Sequence, residues 1–96
     1  MWDSSPTDQD IDKLAPLVGR RSLPFLVELG MDFAVWERIF YRQTERDLVK
    51  LNQDILEEWR GKFCQSLSIK PTLRGIAQAF INIDMSLKMV ENALFD

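Results

Sequence analysis

The sequence contains no histidine and only one cysteine, Cys64. Without histidine the chain lacks the side chain that most often moves protons near neutral pH and activates serine or cysteine nucleophiles, so no enzymatic activity is expected. A lone cysteine cannot close an internal disulfide, and the fold must be held by packing alone, as suits a reducing compartment; a cytoplasmic location is expected. Cys64 stands beside Phe63 with no imidazole partner in the sequence and reads as a small core or boundary residue rather than a nucleophile. No apolar run approaches the roughly 20 residues of a membrane span. The opening MWDSSPTDQD has neither the basic nor the apolar region of a signal peptide, so neither membrane association nor export is expected. Period-two alternation is absent, which leaves no candidate strand. The balance of 12 Lys and Arg against 15 Asp and Glu, net charge −3, supplies no electrostatic reason to bind nucleic acid or an anionic membrane. Glu57 and Glu58 are adjacent rather than three or four apart, so they splay around a helix instead of converging on a metal; neither metal nor cofactor is expected.

What the sequence does have is helical periodicity. In PTLRGIAQAF, Pro71 to Phe80, residues Leu73, Ile76, Ala77 and Phe80 share one helix face and Thr72 is placed to cap it. So short a helix is unstable alone in water, and its apolar face needs a partner. Upstream, Ser5 and Pro6 read as the cap and first residue of a helix with Ile11, Leu14, Ala15 and Val18 on one face, kinked at Pro16 and stopped by Gly19. Ser22 and Pro24 open a second helix through Leu26 and Leu29 to Gly30. Asp32 caps a third, with Trp36, Ile39 and Phe40 inward. Thr44 with Asp47 approximates a capping box for a fourth, whose inward stripe is Leu48, Leu51, Ile55, Leu56 and Trp59, and whose exit is marked by Gly61 and CQSLSIK. Asp84 or Ser86 caps a last helix bearing Leu87, Val90 and Leu94. A chain of 96 residues buries roughly two thirds of its unfolded surface, enough for one core. The expectation is a single all-α domain over residues 1–96, a six-helix antiparallel bundle structured from about residue 5 to residue 95, with residues 1–4 flexible.

The order and spacing of these helices resemble the death domains. The residues that carry the resemblance are LGM at Leu29 to Met31, LVKLNQDILEEW from Leu48 to Trp59, and Thr72 followed by Ile76, Ala79 and Phe80. Within the family the sequence is most similar to adaptors of the Fas-associated type, in the spacing of Leu and Trp along the fourth helix and in the Met85, Ser86, Leu87 step opening the last one. Ser22 departs from the pattern where many members carry Trp, so Leu23 and Phe25 are expected to fill the core there; the stretch from Trp59 to Thr72 is also longer, which predicts a loop of its own shape. The resemblance implies a homotypic binding module of a cytosolic adaptor in apoptotic or innate-immune signalling. Such a module joins another death-domain protein to a downstream effector such as a caspase, the latter recruited through a region outside this chain. A death domain of a receptor tail or a kinase is the alternative. A remoter one is an acyl-carrier-like protein, suggested by Asp84, Ser86 and Leu87, but Met85 interrupts that motif and Ser86 reads as an ordinary cap.

Charges that the core does not use are the candidate binding residues. Arg38, Arg42, Arg46 and Lys50 recur every four positions across the third and fourth helices, and Arg20 with Arg21 precede the second. Opposite in sign are Asp3, Asp8, Asp10 and Asp12 at the start, and Glu57 with Glu58. A basic face and an acidic face on one domain permit head-to-tail contacts that extend rather than close. Phe33, Phe40 and Tyr41 cannot all point inward from so short a helix, and Tyr41 beside Arg42 has the character of an interface anchor.

Overall fold

Capping chemistry decides where each helix begins. The computed structural model describes residues 1–95, and all regular structure among them is helical: α1 (Asp8–Val18), α2 (Ser22–Glu28), α3 (Phe33–Arg42), α4 (Leu48–Glu58), α5 (Leu73–Asn82) and α6 (Leu87–Phe95). α1 starts two residues later than Pro6, because Thr7 and Asp10 form a reciprocal box: Thr7 Oγ1 accepts from the Asp10 amide at 3.1 Å and Asp10 Oδ2 from the Thr7 amide at 2.9 Å. Pro6 is instead buried ahead of the helix, and its carbonyl accepts from Arg60. The helix continues through Pro16, which is exposed, and ends at Gly19 with φ of 58°, in the half of backbone space that glycine enters without cost. α4 likewise starts later than Thr44. Asp47 is its cap, accepting from the amides of Val49 and Lys50 at 2.9 and 3.2 Å, so one carboxylate satisfies two orphan donors at the positive end of the helix dipole. Arg21, not Ser22, occupies the cap position of α2, and Ser22 lies buried just inside the helix.

The expected exit at Gly61 is absent. α4 runs without a break into a π-helical turn, Trp59–Phe63, and a last α-helical turn, Cys64–Ser66, so most of the extra length before Thr72 is helix rather than loop. In an α-helix Cys64 would lie about 140° around from Trp59. The wider turn, closed by the Cys64 amide on the Trp59 carbonyl, returns both to the inward face, and both are buried. Gly30, at φ of 101°, is needed on two counts, since a Cβ there would also meet the Phe63 ring at 3.1 Å.

α4 packs on α1, α2 and α3, while α5 packs on α2 and α6. The partner of PTLRGIAQAF is therefore its own chain. Leu73, Ile76, Ala77 and Phe80 are all buried, the Phe80 ring lies 4.6 Å from that of Phe25, and the Trp59 ring lies where a Cβ on Gly75 would touch it at 3.4 Å. Phe25 fills the core as expected beside Ser22, while Leu23 is half-buried; Ser22 Oγ accepts from the indole nitrogen of Trp36 at 3.4 Å. Besides Leu23, four side chains expected inward are not fully enclosed. Leu48 and Leu87 open their helices and are exposed, Phe40 is exposed and Trp36 is half-buried, because α3 seats only Ile39 fully. Asn52 occupies the buried stripe of α4 instead.

Residues 1–4 lie along the start of α5. The Ser4 and Trp2 carbonyls accept from the amides of Leu73 and Arg74 at 2.9 and 2.8 Å, and Thr72 Oγ1 accepts from Gly75 at 3.1 Å, so three of the first amides of α5 are satisfied. The Trp2 ring meets Phe95 edge-on at 5.3 Å, tying α5 to α6. The radius of gyration, 12.3 Å, matches the roughly 12.5 Å of a single compact domain of this length. No helix among the described residues is long and apolar enough to cross a membrane.

Candidate functional site

Charges that looked free in the sequence divide into two groups once their neighbours are in place. Most of the acidic set is engaged within the chain. Asp8 pairs with Arg60 at 2.8 Å, Asp10 closes the capping box of α1, Asp12 accepts from Gln53 at 3.0 Å, and Asp3 pairs with Arg74 at 2.9 Å. The Arg74 guanidinium, by hydrogen bonding and then by charge, holds the Asp3 carboxyl below the ordinary aspartate value. Glu58 pairs with Arg38 at 2.9 Å, while Glu57 is exposed with no ion pair among the described residues. The N-terminal acids thus brace α1 and α5 as well as colouring the surface.

The basic row is not one uninterrupted face either. Arg38 is held by Glu58 from across the α3–α4 contact, and Lys50 by Asp54 one turn on at 2.8 Å; hydrogen bonding in each pair raises the pKa of the cation above its ordinary range. Asp54 also accepts from Gln43 at 2.6 Å. Arg21 reaches across to donate to the Ile83 carbonyl, a contact 62 residues away in sequence that ties the start of α2 to the C-terminal end of α5. Arg20, Arg42 and Arg46 form no salt bridge among the described residues and all three are exposed, though Arg42 lines a depression with Asp54, Glu57 and Glu58.

Arg42 and Arg46 flank the turn between α3 and α4, where the surface is indented. Two adjoining shallow depressions meet there: one of about 560 Å³ is lined by Arg42, Val49 and Lys50 together with the acids Glu45, Asp47 and Asp54, the other of about 410 Å³ by Phe40, Tyr41, Arg46 and Leu48 together with Glu45 and Asp47. Tyr41, which lines the second, is 76% exposed. The geometry therefore gathers Tyr41, Arg42, Arg46 and Lys50 at one corner, leaves Arg20 and Arg21 near α2, and commits Asp8, Asp10 and Asp12 to contacts of their own. Sequence reasoning missed Leu48 and Val49 at this corner. Leu48 fitted the inward stripe by period, and only the later start of α4 at Asp47 explains its exposure at the first position of the helix.

Elsewhere the chemistry is structural. Burial pushes the Cys64 thiol up, holding it protonated. Ser86 Oγ accepts from the Met89 amide at 3.3 Å and so caps α6. Among the described residues no three His, Cys, Asp or Glu side chains are grouped to hold a metal ion. No family model, curated protein or solved structure matches the chain.

Proposed function

We propose that the domain is a protein-interaction module of the death-domain kind, part of a cytosolic adaptor that binds another death domain during assembly of an apoptotic or innate-immune signalling complex. The observation that carries the reading is the α3–α4 corner, where an exposed Tyr41 lies near Arg42 and Arg46, two exposed arginines that form no salt bridge among the described residues. Tyr and Arg are the residues that most often anchor protein interfaces, and a cation left unpaired in the free domain is available to a partner's acid. Support also comes from the six-helix order around one core and from the resemblance of LGM, LVKLNQDILEEW and the Thr72 to Phe80 stretch to the family's pattern. The effector-binding part of such an adaptor lies outside these residues.

The corresponding experiment is binding of Arg42→Glu/Arg46→Glu to candidate death domains by titration calorimetry at low and high salt. Exposed charges contribute little to folding, so the variant should keep the wild-type circular dichroism and melting. Its affinity should fall by about tenfold or more, and wild-type affinity should itself fall as salt rises. A folded double variant that binds as tightly as wild type would remove this corner from the interface.

A further inference from the structure

The turn that carries Arg46 and adjoins Arg42 has almost no bonding of its own. The Gln43 amide closes on the Phe40 carbonyl at 3.2 Å, and among the described residues Thr44, Glu45 and Arg46 make no hydrogen bond. The turn is fixed at its two ends instead, each time by a carboxylate. At the far end Asp47 caps α4 through the amides of Val49 and Lys50. At the near end Asp54, from the middle of α4, accepts from the side-chain amide of Gln43 at 2.6 Å through Oδ2 and from Lys50 at 2.8 Å through Oδ1. Arg42 lines the same depression and forms no salt bridge with Asp54. Gln43 is where the backbone leaves the helix of α3 for an extended course, at φ of −72° and ψ of 129°, so the bond from Asp54 holds the first residue of the turn. A carboxylate acceptor makes that bond charge-assisted, and a side chain only 15% exposed keeps most competing water away.

We infer that Asp54 is a positioning residue for the arginine corner: through Gln43 it holds the α3–α4 turn in place, so that Arg42 and Arg46 are already presented when a partner arrives. The presentation of the arginines rests on the partner-binding reading above, whereas the holding of the turn is a property of this chain alone. Binding through a turn that must first be ordered costs conformational entropy, so a loosened corner binds more weakly even with every contact residue still present. The same carboxylate has a second effect, since its pairing with Lys50 takes a third cation out of the corner. Substitution separates the two. Asp54→Asn removes the charge but keeps an oxygen that accepts from Gln43. Asp54→Ala removes both the charge and the acceptor. Gln43→Ala removes the anchor with no change of charge.

Nitrogen-15 relaxation of the free chain reads the turn directly. Backbone order parameters over residues 43–46 should lie near about 0.85 in wild type and Asp54→Asn and fall toward about 0.6 in Asp54→Ala and Gln43→Ala, with the wild-type circular dichroism kept throughout. Titration calorimetry against a death domain that binds the wild-type chain reads the consequence. Asp54→Ala and Gln43→Ala should weaken binding by about threefold to tenfold, and Asp54→Asn should not, although its change of charge equals that of Asp54→Ala. If no death domain binds the wild-type chain, the functional reading fails, and the relaxation contrast alone carries or sinks the role of Asp54. A turn as rigid in Asp54→Ala and Gln43→Ala as in wild type overturns the inference. So does equal affinity of Asp54→Ala and Asp54→Asn for the partner, which would leave the anchor without effect.

Discussion

Asn52 offers the sharpest test of how α1 and α4 are joined. It is fully buried, and its Nδ2 donates to the carbonyls of Gly19 at 3.1 Å and Ala15 at 3.4 Å, groups at the C-terminal end of α1 that the helix itself cannot satisfy. Asn52→Ala removes both bonds. The shorter contributes about 1 kcal/mol and the longer less; a buried carbonyl left unpaired costs a further 1 kcal/mol or more, which gives a loss of about 2–3 kcal/mol. For a domain of this size that lowers Tm by on the order of 10–20 °C. Asn52→Asp keeps the shape but sets a carboxylate against two carbonyl oxygens at the negative end of the helix dipole, and should cost more than alanine at neutral pH, about 3–5 kcal/mol. The pH dependence has a definite sign. Burial and the facing oxygens raise the pKa of that carboxyl in the folded state above its unfolded value near 3.9, so the deficit grows as pH rises through this range. It shrinks on acidification, where the protonated acid donates to a carbonyl. Urea unfolding followed by circular dichroism at neutral pH and near pH 4 measures both effects. An Asn52→Asp protein within about 0.5 kcal/mol of wild type at neutral pH would place residue 52 in water and refute the α1–α4 joint.

Trp59→Ala should cost about 3–5 kcal/mol in the same assay, since the ring is 6% exposed and lies against Gly75; a loss well under 1 kcal/mol would mean the ring is not core. Ile76→Ala should cost less, about 2–4 kcal/mol. Cys64, buried and held protonated, should react with a thiol reagent far more slowly in the native protein than in denaturant; equal rates would contradict its burial. Asp3 has a lowered folded pKa, so its pairing with Arg74 contributes above the ordinary value of 3.8 and is lost as pH falls through the folded one. Asp3→Asn should accordingly lower melting slightly at neutral pH and not in acid, which flattens the acid limb, whereas an unchanged acid limb would show the pair to be inert.

Periodicity made the buried faces of α1 and α5 legible, because Ile11, Leu14, Ala15 and Val18, and Leu73, Ile76, Ala77 and Phe80, obey one helical repeat with no competing signal. Helix starts were less legible. Ser5 with Pro6 and Thr44 with Asp47 each offered an acceptable cap, and the choice of Thr7 and Asp47 depends on which side-chain oxygen reaches the first free amides of the helix in three dimensions. The π-helical turn was hidden, since Gly61 is a strong stop signal and only the packing of Trp59 and Cys64 onto one core makes continuation favourable. Asn52 shares the face of Ile55 and Trp59 by spacing, so its position was readable, but its acceptors lie 33 and 37 residues away and were not. The candidate site was legible in residue type and not in pairing. Arg38 and Glu58, 20 residues apart, and Arg60 and Asp8, 52 apart, looked like parts of opposed free faces and instead neutralise each other across helices.

The central claim is that Arg42 and Arg46 contact a partner's acids directly, and a charge swap measures it. Arg42→Glu/Arg46→Glu is titrated against a death domain that binds the wild-type chain, then against the same partner with acids of its contact face changed to Lys, and the four affinities form a double-mutant cycle. Direct contact predicts that the matched pair of variants recovers a substantial part of the affinity each loses alone, by about tenfold over the singly changed complex. Losses that simply add, with no recovery whichever acidic face of the partner is reversed, would contradict the assignment of this corner as the interface.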